Sequence, residues 1–267
     1  PRSDVAITIL FGQTSTPVTG HPGSRTTSYL LAGDKTASAD FAGATKTDHW
    51  YVVNTIDVKA PDNAAAVAIL GNSITDGRGS TTNLQNRWPD ALSEALLKNA
   101  KDVGVLNLGI GGNWVLSGGG LGPSGSSRFQ RDILDQSGVE WVIVFEGVND
   151  LGSGVNSAAA AKTKADNLIA AYKDMIAKAK AKGLKVYGAT IMALGNSYYG
   201  QYAEAARSQV NNWIRNGGQY DAVIDFDKLT RSASDTTKLG IASDGNDGLH
   251  PTADGYRKMG ESIDLKL

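Results

Sequence analysis

Two short stretches near opposite ends of this chain carry residue types that could together cleave an acyl bond. An apolar run from Val67 ends in Gly-Asn-Ser and places Ser73 before a polar, glycine-rich turn. Asp247 and His250 stand three residues apart in a polar loop before the last helical stretch. A serine hydroxyl is a weak nucleophile unless an imidazole takes its proton, and the imidazole needs a carboxylate that holds its tautomer. The three residue types therefore indicate nucleophilic catalysis, although a small-residue turn after a strand is by itself often plain loop chemistry.

The elements that must position these residues alternate between strand and helix from residue 64 onward. Nearly continuous apolar runs, typical of strands buried on both faces, occupy residues 66–70, 103–108, 141–146, 185–191 and 222–226. Helical patterns occupy 88–99, 128–135, 158–182, 202–216 and 252–265, and Gly183 is expected to end the third of them. The pattern predicts a flavodoxin-like three-layer α/β/α fold around a five-stranded parallel sheet.

Loops that follow parallel strands share one edge of the sheet, so four polar loops of this chain should meet there. The loop after the second strand is glycine-rich over 107–113, and the third strand leads into Gly-Val-Asn-Asp at 147–150. Read singly, the glycines could serve only a tight turn, and Asn149-Asp150 could cap a helix. Their occurrence together with the serine and histidine loops favours a catalytic site.

These four blocks resemble those of the GDSL or SGNH hydrolase superfamily, in the same order. The resemblance spans residues 64–265 and is closest to acylhydrolases from plant-polysaccharide-degrading bacteria. Those proteins also carry a β-rich segment ahead of the serine block and an Arg-Trp-Pro stretch after it, here at 87–89. One position departs from the family pattern, because Asn72 stands where the family's name has aspartate. We expect altered local hydrogen bonding there without loss of activity.

The resemblance implies a role for each polar residue of the four blocks. Ser73 is the nucleophile, His250 the general base and then acid, and Asp247 the orienting carboxylate. The oxyanion hole comprises the backbone N–H groups of Ser73 and Gly112 and the side-chain amide of Asn149. The chemistry fits these roles, because glycine leaves space for the substrate and a neutral amide donates without adding charge. We also expect the rate to rise with pH as an imidazole loses its proton near its reference value of about 6.5.

Residues 1–62 differ in pattern from the rest of the chain, and we interpret them as a β-rich segment ahead of a hydrolase domain at 63–267. Alternating or short apolar runs at 5–11, 29–32 and 50–58 predict three strands of a small antiparallel layer. This layer is either a structural flap or a carbohydrate-binding module with Trp50 and Tyr51 as stacking rings. His21 and His49 lack metal-ligand spacing and are interpreted as structural or surface residues, and no metal site is predicted.

Further side chains are expected near the site. Trp114 follows the second loop, and Tyr198 and Tyr199 follow the fourth strand, so all three are candidates for substrate contacts, with ordinary packing as the alternative. Glu146 ends a buried strand and is expected to pair with an arginine such as Arg128, since a buried unpaired carboxylate is costly.

The amino-acid composition limits the classes of partner that the protein is expected to bind. The 26 basic and 27 acidic residues nearly cancel, and no stretch approaches the roughly 20 apolar residues that cross a bilayer, so neither nucleic acid nor a membrane is expected as a partner. There is no cysteine, which excludes disulfides and thiolate chemistry, and no cofactor is implied. The chain begins at Pro1 without a signal-peptide pattern and is interpreted as a processed product. A secreted or periplasmic location is expected from the family branch.

The leading functional hypothesis is a serine esterase acting on short acyl esters, chiefly acetyl groups, of small molecules or plant-type polysaccharide. A lysophospholipase or general arylesterase would use the same chemistry. Two alternatives come from other classes: a flavodoxin-like phosphate binder, for which the expected Gly-rich motifs are missing, and a non-catalytic carbohydrate-binding protein.

Overall fold

The computed structural model describes residues 3–99, 101–118 and 121–264. Its centre is a five-stranded parallel sheet, which confirms the predicted fold class. The five strands are β5 (Ala65–Gly71), β6 (Val103–Gly109), β7 (Val139–Phe145), β8 (Lys185–Ala189) and β9 (Ala222–Ile224). Their order across the sheet is β6-β5-β7-β8-β9.

The strand order places a crevice at the carboxyl end of β5. From β5 the chain crosses to β6 on one side and later returns to β7 on the other, so the connections leave β5 in opposite directions. A ligand site is expected at such a switch point. Register brings the strand ends level there, because Gly71 is paired with Gly109 on one side and with Phe145 on the other.

Helices cover both faces of the sheet. They are α1 (Ser73–Asp76), α2 (Trp88–Lys98), α3 (Gly125–Phe129), α4 (Val148–Gly152), α5 (Ala158–Ala181), α6 (Gln201–Asn216), α7 (Phe226–Thr230) and α8 (Ala253–Glu261). Helix α2 packs against α8, and α5 packs against α6. The core lies between these layers and the sheet, with Trp88, Phe145 and Phe226 in edge-to-face contact.

The predicted boundaries differ in detail from those observed. The helix expected over 128–135 begins at Gly125 and continues as a π-helical turn, Gln130–Leu134. The last strand ends at Ile224 because the Asp225 side chain caps α7. Gly183, at φ +78°, follows the end of α5 as predicted. Thr252 caps α8, which ends at Glu261, and position 265 lies outside the described residues.

The N-terminal segment is β-rich but does not form the predicted single layer. It contains two separate antiparallel pairs: β1 (Gly20–His21) with β4 (Trp50–Tyr51), and β2 (Ser28–Leu30) with β3 (Thr45–Thr47). The strand predicted over 5–11 is wrong. No described strand pairs with these residues, and their apolar side chains, including Val5 and Phe11, are exposed. Alternation without a partner strand or a face to bury does not produce a strand.

Candidate active site

Ser73 opens a short helix directly after the central strand. The Asn72 side chain caps this helix by accepting a hydrogen bond from the Ile74 backbone N–H at 3.0 Å. The turn packs tightly against the end of β6, where a Cβ on Gly109 would overlap the Asp76 backbone. Ser73 is consequently held on rigid backbone with 8% of its surface exposed.

The structure brings the serine and histidine blocks into direct contact across 177 residues of sequence. Ser73 Oγ lies 2.8 Å from His250 Nε2, and His250 Nδ1 lies 2.6 Å from Asp247 Oδ2. The second carboxylate oxygen of Asp247 accepts the backbone N–H groups of Leu249, at 3.0 Å, and His250, at 2.8 Å. The carboxylate thereby holds both its own loop and the imidazole. With Nδ1–H donated to Asp247, Nε2 is free to take the serine proton.

Electrostatics favour a neutral imidazole. Burial lowers the pKa of His250 below its ordinary value of 6.5, Asp247 opposes this change, and the charges of Arg78 and Arg25 add to it. The expected value near 6.5 is therefore corrected downward, because the sequence did not show how deeply the ring is buried. Burial raises the pKa of Asp247, but the hydrogen bonds and charge of His250, together with the hydrogen bond from the Leu249 backbone, leave that pKa below the ordinary value. A neutral base beside an ionised carboxylate is the state that a general base requires.

The two other predicted oxyanion donors follow the ends of β6 and β7, the strands on either side of β5. Gly112 adopts φ +67°, in the left-handed region that glycine tolerates, on the loop after β6. Asn149 lies in the first turn of α4, and its Nδ2 donates to the carbonyl oxygen of Asn113 at 2.8 Å. Within the described parts of the chain, the Gly112 N–H donates to no protein acceptor. The Asn149 amide thus bonds to the residue that directly follows Gly112.

Two buried charged side chains hold these loops in place. Arg128 donates to the carbonyl oxygens of Leu108, at 2.8 Å, and Gly71, at 3.1 Å, and to Asn113 Oδ1 at 3.0 Å. Asp150 does not cap a helix but accepts the backbone N–H groups of Val115 and Leu116 at 2.8 and 2.9 Å. Arg128 is thus committed mainly to backbone carbonyls, and it affects Glu146 only through its charge, which lowers the pKa of that buried carboxyl.

The N-terminal segment contributes contacts that sequence reasoning missed. His21 Nε2 lies 2.6 Å from Asp76 Oδ1, and Asp76 ends the helix that begins at Ser73. Arg25 donates to the Asp76 carbonyl oxygen at 3.3 Å, and Arg87 donates to the same oxygen at 3.0 Å and to the Ser24 carbonyl. Only the position of Asp76 in the serine block could have signalled this contact, because nothing in the spacing connects it with residue 21.

The candidate substrate-contacting aromatics occupy different surroundings. Trp114 is half-buried beneath Lys164, whose ammonium lies 5.9 Å from the ring centre. Tyr198 is 74% exposed, and Tyr199 is half-buried with its hydroxyl 2.9 Å from Asn149 Oδ1. Trp50, considered as a sugar-stacking ring, is half-buried and lies edge-on to the His21 ring.

A cleft of about 450 Å³ opens beside His250. It is lined by Arg78, Gly79, Gly245, Asn246, Asp247, His250, Pro251, Thr252 and Ala253. A larger cavity, of about 660 Å³, lies along the edge strand β9 and is lined by none of the predicted site residues, whereas the smaller cleft is lined by two of them, Asp247 and His250. Among the described residues, no group of three or more His, Cys, Asp or Glu is arranged to hold a metal ion. No helix in the described ranges is long and apolar enough to span a bilayer.

Several solved structures have a fold similar to that of this chain. A GDSL-like lipase from Bacteroides thetaiotaomicron is 18% identical and has a TM-score of 0.55, with 77% of this chain and 88% of that chain covered. The carbohydrate acetylesterase Est24 from Sinorhizobium meliloti is 15% identical, with a TM-score of 0.55 and coverage of 74% and 95%. The acetyl xylan esterase AlAXEase is 19% identical, with a TM-score of 0.53 and coverage of 74% and 96%. At these identities the structures show the shared fold.

Sequence comparison identifies the family. A search of curated proteins gave no match. The family model for GDSL-like lipases and acylhydrolases, however, matches residues 69–258, which is most of the chain and includes all four polar loops. The match confirms the resemblance noted in the sequence. The chain therefore belongs to the GDSL-like lipase/acylhydrolase family and is an ester hydrolase.

Proposed function

We propose that this hydrolase is a serine esterase that removes short acyl groups, acetyl above all, from small esters and from acetylated plant-type polysaccharide. The observation that carries the proposal is the continuous contact from Ser73 through His250 to Asp247, with 2.8 and 2.6 Å between the bonded atoms. An activated hydroxyl of this kind is required for nucleophilic attack on an ester.

The proposed reaction proceeds in two halves. His250 Nε2 takes the proton of Ser73 Oγ as this oxygen attacks the ester carbonyl, and the negative charge moves to the carbonyl oxygen. The backbone N–H groups of Ser73 and Gly112 and the Asn149 amide stabilise that oxygen. The C–O bond to the alcohol then breaks, and the alcohol leaves with the proton held by His250. Water enters, loses a proton to His250, and attacks the acyl-serine, so that the acid leaves and Ser73 recovers its proton.

The cleft supports a short acyl group and a polar alcohol. Glycine, polar and charged residues form most of its lining, including Arg78, Asn246 and Thr252. A long acyl chain gains little there, since its binding requires apolar surface to cover. The names of two structural neighbours, a carbohydrate acetylesterase and an acetyl xylan esterase, favour a sugar as the alcohol. We extend that substrate class to this chain as part of the proposal, together with export and the division at residues 62 and 63.

Labelling with a fluorophosphonate tests the nucleophile, because only an activated serine reacts with it. We expect stoichiometric labelling of the wild type and none of Ser73→Ala, which should lose turnover and keep its thermal unfolding transition. An unlabelled wild type would favour the non-catalytic carbohydrate-binding alternative, and near-normal hydrolysis by Ser73→Ala would refute the nucleophile.

A substrate panel tests the specificity. Initial rates on acetylated xylan, p-nitrophenyl acetate, a long-chain p-nitrophenyl ester and a lysophospholipid should rank the acetyl esters first. A higher kcat/KM on the long-chain ester or the lysophospholipid would replace the proposed substrate class and leave the mechanism standing. Activity on p-nitrophenyl acetate without activity on acetylated xylan would indicate an arylesterase.

A further inference from the structure

The Asn149 carboxamide is held by one hydrogen bond at its nitrogen and one at its oxygen. Its Nδ2 donates to the Asn113 carbonyl oxygen at 2.8 Å, and its Oδ1 accepts the Tyr199 O–H at 2.9 Å. A backbone carbonyl can only accept, so the nitrogen must face Asn113 and the oxygen must face Tyr199. Because a carboxamide is planar, these two bonds fix the direction of the remaining N–H.

The Tyr199 hydroxyl keeps the proton that it donates. Burial raises the pKa of Tyr199 far above its ordinary value. The Tyr198 O–H donates to the Tyr199 oxygen at 3.2 Å, with the two ring centres 4.4 Å apart. A donor on this oxygen polarises the O–H bond and strengthens its donation to Asn149.

The Tyr199 ring is fixed from two sides. It lies against Gly152, in the same helix as Asn149, where a Cβ would overlap the ring. Its own loop is tied to the loop of the catalytic histidine, because Asn196 Nδ2 donates to Asp244 Oδ2 at 2.9 Å. The phenol is therefore placed by packing as well as by its hydrogen bonds, which limits its freedom to turn away from Asn149.

We propose that Tyr199 is a positioning residue of the oxyanion hole. Its O–H holds the Asn149 carboxamide so that the free N–H points at the acyl oxygen when negative charge develops there. The inference rests on the proposed function, and it assigns the hydroxyl of Tyr199, rather than its ring face, to the reaction. Preorganised donors contribute most when they need no reorientation during the reaction.

A double-mutant cycle between Tyr199→Phe and Asn149→Ala tests the proposal. With p-nitrophenyl acetate, we expect Tyr199→Phe to lower kcat about tenfold with little change in KM. Asn149→Ala should lower kcat by about 10²–10³, and adding Tyr199→Phe to it should have no further effect. An equal fractional loss in both backgrounds would mean that Tyr199 serves only packing, and it would overturn the proposal.

A second variant and a matched control sharpen the test. Gly152→Ala keeps the hydroxyl but displaces the ring, and it should lower kcat in the wild type and not in Asn149→Ala. The control is Tyr220→Phe, which removes a buried hydroxyl that has no hydrogen-bond partner in the described structure and should leave kcat unchanged. The acidic limb of the pH profile should be the same in Tyr199→Phe and in the wild type. A shift of that limb would mean that Tyr199 acts by changing the pKa of His250 and not by positioning Asn149.

The outcomes separate this proposal from the proposed function. If Asn149→Ala keeps wild-type kcat, the oxyanion assignment fails and this proposal fails with it. If Asn149→Ala loses activity but Tyr199→Phe in the wild-type background does not, the esterase mechanism stands and only the role of Tyr199 is overturned.

Discussion

Glu146, buried between the end of β7 and α4, should make the stability of this protein decrease as pH rises. Its side chain is almost fully buried, and burial raises its pKa well above the ordinary value. The charge of Arg128 opposes this effect, Asp150 adds to it, and hydrogen bonds from the Gly147 backbone and the Asn72 side chain oppose it. Burial dominates because Arg128 donates to carbonyl oxygens and to Asn113 instead of to this carboxyl.

The sign follows from proton linkage. In the unfolded chain, Glu146 ionises near its reference pKa of about 4.3, while in the folded protein it holds its proton to higher pH. Between those two values the folded state binds more protons, so its stability is lost as pH rises, at about 1.4 kcal/mol per pH unit. Glu146→Gln keeps the shape and the oxygen that accepts the Gly147 N–H, but it cannot ionise. The free energy of unfolding of the variant, relative to that of the wild type, should therefore rise at that rate between the two pKa values. Above the folded-state pKa the difference should stay constant.

Urea unfolding of both proteins from about pH 4 to about pH 8 measures this difference directly. We expect the free energy of unfolding of Glu146→Gln, relative to the wild type, to be lowest at the acidic end and to rise toward the basic end. The activity of the variant on p-nitrophenyl acetate shows whether the adjacent loop is intact. A difference that stays constant or shrinks with rising pH would refute the conclusion that burial controls this carboxyl.

Three further predictions concern the site and its support. Asp247→Asn keeps an oxygen for the Leu249 and His250 N–H groups but turns an NH₂ toward Nδ1 of His250. The proton of the imidazole then lies on Nε2, which cannot take the proton of Ser73, so kcat should fall about 10⁴-fold. A loss below tenfold would contradict the assigned role. Wild-type kcat/KM should fall as pH drops through the pKa of His250, below 6.5. Arg78→Gln should move this acidic limb to higher pH at low salt but not at about 1 M salt. If the limb does not move at low salt, the charge of Arg78 does not lower the pKa of His250. His21→Ala removes the imidazole that lies 2.6 Å from the buried Asp76 carboxylate and should lower the free energy of unfolding by about 1–3 kcal/mol. The control is His49→Ala, whose ring bonds only within the N-terminal segment. Equal losses in the two variants would show that the contact with Asp76 does not add to stability.

The sequence predicted strands that are buried on both faces and helices whose buried residues recur with the helical period. The five apolar runs became the five parallel strands. The helical pattern over 158–182 became α5, whose buried residues include Leu168, Tyr172 and Met175. The apolar alternation over residues 5–11 misled, because the same pattern also arises in a segment that finds no strand to pair with. Local sequence cannot distinguish the two cases, since a strand is stabilised by its neighbours.

The order of the four polar loops predicted that they meet at one edge of the sheet, because parallel strands bring their carboxyl ends to one side. The roles proposed for Ser73, Gly112, Asn149, Asp247 and His250 came from the resemblance to a known family. The contacts that support this edge were decided only by the tertiary structure. His21 reaches Asp76 across 55 residues and Tyr199 reaches Asn149 across 50, and no spacing rule connects either pair. The pKa of His250 and of Glu146 likewise depends on how deeply each group is buried, which is a property of the packed layers. The residue types determine which reactions are possible, whereas the distances between side chains and their dielectric environment are set only when the chain has folded.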